Sequence, residues 1–223
     1  MVTDAPIAMP TDKHILTLAQ MFSPAFPVGA FAYSHGLEWA IDCGDVTDTT
    51  TTKHWIESVL QHGSGRNDCI FLGAALRADT PEEVAELDAL CRAFAPSRER
   101  LSETELQGAA FCDTTKAVWQ AEFGSLCYPV AVGRAARALD LPLELTGQMY
   151  LQAFMSNLAA AAMRLVPLGQ TDGQRLIQEL TQLTSAIAPE AVQADLDAIG
   201  STAFLSDIAS MKHETQYSRI FRT

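Results

Sequence analysis

Five histidines, five cysteines and one glycine-rich stretch are the residues here whose types suit metal binding, nucleophilic catalysis or phosphate binding. The histidines (His14, His35, His54, His62 and His213) include no HxxxH pair. His54 and His62 share one predicted helix but stand two turns apart, about 12 Å, too far to ligate one ion. The stretch GSGRND at 63–68 lacks the GK[ST] ending with which a glycine loop holds phosphate, so it reads as a turn. Cys69 and Cys127 become nucleophiles only if a histidine approaches in space, and their apolar neighbours Ile70, Phe71 and Leu126 favour buried thiols of raised pKa. The expectation is no catalytic residue and no metal site.

The elements that would position these residues are helical almost throughout. Asp48 and a run of threonines cap a helix carrying Trp55, Ile56, Val59 and Leu60, and Thr80 before Pro81, Glu82 and Glu83 is a second start. Ser97 opens a long helix reaching about Phe123, Tyr128-Pro129 opens another, and Pro142 opens an apolar one. Thr171 and Gln174 stand at capping-box spacing, and Pro189-Glu190 reads as the start of a short final pair of helices. Residues 145–163 run 19 positions without a formal charge, close to membrane-spanning length. Gln148, Gln152, Ser156 and Asn157 recur there at helical spacing, which suits a buried helix of a soluble bundle better than lipid. The expected fold is an all-α, single-domain bundle of roughly nine to ten helices. A mobile leader covers 1–12, the helical domain 13–211 and a tail 212–223.

With 223 residues, 48 % of them hydrophobic, the chain can fill one substantial core. Its formal net charge of -12 opposes nucleic acid and anionic lipid as partners. An odd number of widely spaced cysteines, no CxxC pair and no secretory h-region place it in a reducing cytoplasm.

Three places depart from a plain bundle. SPAFPVGAFAYSHGLEWA at 23–40 is a rigid elbow: Pro24 and Pro27 fix the backbone, Gly29 permits an irregular turn, and Ser34 caps a short helix. Phe26, Phe31 and Leu37 are read as core, whereas Glu38 is read as a surface carboxylate, because an unpaired buried one is expensive. MRLVPLGQTDGQ at 163–174 sets Arg164 among apolar residues just before Pro167, with Gln170 after it. The tail KHETQYSRIFRT alternates Tyr217, Ile220 and Phe221 with Arg219 and Arg222, and apolar groups there need something to cover them.

The elbow SPAFPVGAFAYSHGLE, the RLVPLGQ turn and the terminal HETQYSRIFR resemble the hallmarks of the UreF family of urease accessory proteins. SRER, YPVAVG and the all-α pattern agree in order and spacing, while the first ten residues and 79–96 carry no specific match. His35 stands where the family often has glutamine; both donate through a side-chain nitrogen.

The resemblance implies a non-enzymatic urease maturation chaperone with a homodimeric core. It would act with a UreD-like scaffold and a UreG-like GTPase on apo-urease and regulate GTP-dependent nickel insertion, with no tightly bound cofactor of its own. Its tail would become ordered on the UreD-like partner. Candidate partner-binding residues are Tyr33, His35 and Glu38 in the elbow, Arg164 and Gln170 at the turn, and Tyr217, Arg219, Phe221 and Arg222 in the tail. Two other readings stand beside it: a nickel metallochaperone using His35, His213 and the cysteines, and a small helical enzyme with a site near Cys69.

Overall fold

The computed structural model describes residues 11–223, so most of the expected leader lies outside the described residues. Among the described residues there are ten α-helices and no strand. They are α1 (Asp12–Met21), α2 (Leu37–Asp42), α3 (Thr49–His62), α4 (Ser64–Arg77), α5 (Pro81–Ala93), α6 (Arg98–Trp119), α7 (Tyr128–Ala138), α8 (Leu143–Leu165), α9 (Gln170–Gln193) and α10 (Phe204–His213). The all-α, single-domain expectation holds.

Local chemistry explains most of the boundaries. Thr11, Asp48 and Thr80 each accept the backbone N–H three residues on, and the side chains of His14, Thr51 and Glu83 answer them as capping boxes. Ser97 caps α6 in the same way, through the Arg100 N–H. Because Thr11 is already a cap, α1 begins inside the stretch assigned to the leader. α6 stops at Trp119, earlier than expected, since Gln120 turns left-handed with φ 60°.

Three other expectations are corrected. Thr171 and Gln174 form no capping box, for α9 already starts at Gln170 behind Gly169. Pro189 does not start a new helix but lies inside α9, whose last turns pack Ala188, Ala191 and Val192 into the core. Tertiary packing there outweighs the local cost of about 3 kcal/mol that proline imposes on a helix interior. GSGRND is no phosphate loop or simple turn: Gly63 separates two helices and Ser64 already begins α4.

α4 is the axis of the molecule, touching α3, α5, α7, α8 and α9. Cys69, Ile70, Phe71, Leu72 and Ala75 are all buried on it. Its closeness to α9 depends on Gly73, where a Cβ would stand 1.9 Å from the Val192 carbonyl oxygen. Its C-terminal carbonyls are taken up by arginines of α7: Arg134 donates to Ala75 at 3.0 Å and Ala78 at 2.8 Å, and Arg137 to Ala78 at 2.7 Å. The uncharged run 145–163 lies in α8, which packs against α9, α4 and α3. No helix among the described residues is long and apolar enough to cross a membrane.

Candidate partner-docking site

The elbow, the start of α6 and the end of α10 meet, and the tail crosses their junction. Gly36 makes the meeting possible. Its φ of 75° is left-handed, and a Cβ there would lie 2.7 Å from the Ser210 backbone nitrogen of α10. Behind it, Ser97 and Ser210 share a hydrogen bond of 2.6 Å that ties α6 to α10.

Glu38, in the first turn of α2, is only 6 % exposed. Its carboxylate accepts the backbone N–H groups of Ile220 at 2.7 Å and Phe221 at 2.9 Å, and it faces His213 Nε2 at 3.1 Å. His213 is fully buried, with Nδ1 2.7 Å from Glu99, and Glu99 also pairs with Arg219. The expected surface position of Glu38 is therefore corrected. Burial is tolerable because two amides and an imidazole satisfy the carboxylate.

A second set of contacts holds the end of the tail. Arg222 N–H donates to Ala32 carbonyl at 2.8 Å, and Ser34 N–H donates to Thr223 carbonyl at 2.9 Å. The Thr223 hydroxyl donates to Glu103 at 3.1 Å. Glu103 in turn pairs with Arg100 and with His35 Nε2 at 3.1 Å, all three being buried. Burial works against the charge on Glu103, but the Arg100 guanidinium and His35 outweigh it and hold the carboxyl at about 2. Burial, helped by the Arg100 charge, pushes His35 below its ordinary value, and its Nδ1 has no hydrogen-bond partner among the described residues. Beneath it a cavity of about 40 Å³, large enough for water, is lined by Tyr33, His35, Asp68, Arg100, Glu103 and Tyr150 among others.

The candidate residues thus divide. Tyr33, His35 and Glu38 lie under the tail rather than on the surface. Phe221 is 4 % exposed, and the exposed Arg164 sits over its ring at 4.9 Å and donates to the Phe31 carbonyl at 3.4 Å. Gln170 is exposed at the start of α9 and makes none of these contacts. Tyr217 and Ile220 point outward, together with the exposed Arg219 and Arg222. Phe31, read as core, is also exposed, because the turn at Ala30–Ala32 carries it over the surface.

Sequence reasoning did not assign Asp68, Glu99, Arg100 or Glu103 to the site. For Glu99, Arg100 and Glu103 the available signal was the charged run SRERLSE, whose 99, 100 and 103 positions fall near one face of α6; Asp68 had none. Cys69, weighed as a nucleophile, is buried in the core, and burial, ahead of the Asp68 charge, pushes its thiol well above the usual range.

A family model described as UreF matches residues 46–181. The chain belongs to the UreF family. The protein named urease accessory protein UreF of Ruegeria pomeroyi is 60 % identical over 217 residues, covering 97 % of this chain and all of the relative. Those of the same name from Roseobacter denitrificans and Bradyrhizobium diazoefficiens are 52 % and 46 % identical, over 97 % and 92 % of this chain and 97 % and 90 % of their own lengths. A role as a urease accessory protein follows from UreF membership, in agreement with the resemblance read from the elbow, turn and tail.

Proposed function

We propose that this UreF-family protein is a non-catalytic adaptor of urease maturation. As a cytoplasmic homodimer it joins a UreD-like scaffold and a UreG-like GTPase to apo-urease and regulates GTP-dependent nickel insertion, the nickel being cargo of the assembly. The observation that carries this reading is the self-held tail. Glu38 fixes the backbone of Ile220 and Phe221 while the side chains of Tyr217 and Ile220 face solvent. A strip held in this way loses little conformational entropy when a partner covers it, and aromatic side chains flanked by arginines suit a protein interface. We assign that strip to the UreD-like partner. Co-expression with UreD-like and UreG-like proteins and size-exclusion chromatography test the reading: a stable three-component complex is expected, and failure to retain either partner contradicts it.

A further inference from the structure

The box beneath the elbow contains an acid that tail docking leaves without a task. Asp68, on α4, accepts a hydrogen bond from the Tyr150 hydroxyl at 2.7 Å. It lines both the 40 Å³ cavity and a neighbouring one of about 60 Å³, and Arg100 is on the wall of each. The groups around it are Arg100 and Glu103 of α6, Tyr128 of α7, Tyr150 of α8, Cys91 of α5, Tyr33 and His35 of the elbow, and Cys69 beside it. Arg100 is the cation of this set. It pairs with Glu103, which accepts the Thr223 hydroxyl of the tail. One buried guanidinium therefore serves two carboxylates, and one of these holds the tail.

We propose that docking of the tail is coupled to a proton on Asp68 through the Arg100–Glu103 pair. The proposal rests on the self-held tail and not on which partner reads it. With Asp68 protonated, Arg100 and Glu103 balance each other beneath the closed tail. With Asp68 ionised the box holds one negative charge too many, and lifting the tail relieves it by admitting water. Burial raises Asp68 to about 6, against the Arg100 charge and the Tyr150 hydroxyl. An acid raised in the docked state favours that state below its ordinary pKa, and the advantage is lost as pH rises through the raised value.

Hydrogen exchange at the Ile220 and Phe221 amides of the full chain, expressed as protection factors at pH 5 to 7.5, tests this. Protection in the wild type should fall by about tenfold, one unit of linked pKa, as pH rises from 5 to about 6, and should level off above that. Asp68→Asn should keep the tail protected at both ends of the range. Tyr150→Phe removes a hydrogen bond that favours the ionised acid, so its midpoint should move upward. A flat wild-type profile overturns the proposal. So does an Asp68→Asn profile that follows the wild type. Should Asp68→Asn not fold, an unmoved midpoint in Tyr150→Phe overturns it equally. These measurements use the isolated chain, so loss of partner binding would leave them unchanged.

Discussion

At the scale of residues, the site is a chain of buried charges, each tolerable only because of the next. Glu103 shows this most sharply, held at about 2 against an ordinary 4.5 by Arg100 and His35 despite its burial. A carboxyl depressed in the folded state contributes stability above its unfolded pKa and loses it as pH falls toward the folded one, here between about 4.5 and 2. Glu103→Gln should cost about 3–5 kcal/mol at pH 7, because Arg100 is left buried without its partner. By pH 3 the deficit should narrow by about 2 kcal/mol, since wild-type Glu103 is by then losing its own advantage. Urea unfolding at the two pH values checks this, and a deficit independent of pH would contradict the assignment.

At the scale of elements, the tail is where expectation and structure part. Composition marks Tyr217, Ile220 and Phe221 as groups in need of cover; Phe221 is covered by this chain, whereas Tyr217 and Ile220 are exposed. Nothing local signals it: the carboxylates that hold Ile220, Phe221 and Thr223 lie more than a hundred residues earlier, in the elbow and α6. α10 also runs through His213, so a truncation at 212 removes a core residue with the tail. Glu38→Ala therefore tests the tail more cleanly than deletion does. It leaves two amides and His213 without their acceptor, a loss of about 1–3 kcal/mol. The Ile220 and Phe221 amides should exchange about tenfold or more faster, as this loss implies, while α4 amides such as Ile70 keep their protection. Equal acceleration at both places would mean that the clamp belongs to the global fold rather than to a separable docking step.

At the scale of the whole molecule, helix class and most starts were legible because capping is written in adjacent residues: Asp48, Thr80 and Ser97 all act where they stand. α4 had no such signal. Gly63 caps it without a side chain, and its residues 69–73 are buried without a break, as befits a helix touched by five others. The elbow and tail were recognised as special, but not as each other's partners. From sequence alone a buried Glu38 is too costly, because the Ile220 and Phe221 amides that compensate it lie 182 and 183 residues away. In the proposed function the helical body carries a preformed strip for a UreD-like partner. This central claim is tested most directly by the affinity of that partner for a Tyr217→Ala, Ile220→Ala double variant, both residues being exposed at 104 % and 67 %. The account predicts binding weaker by about 30-fold, equivalent to about 2 kcal/mol, with the melting temperature unchanged; wild-type affinity in the double variant would contradict it.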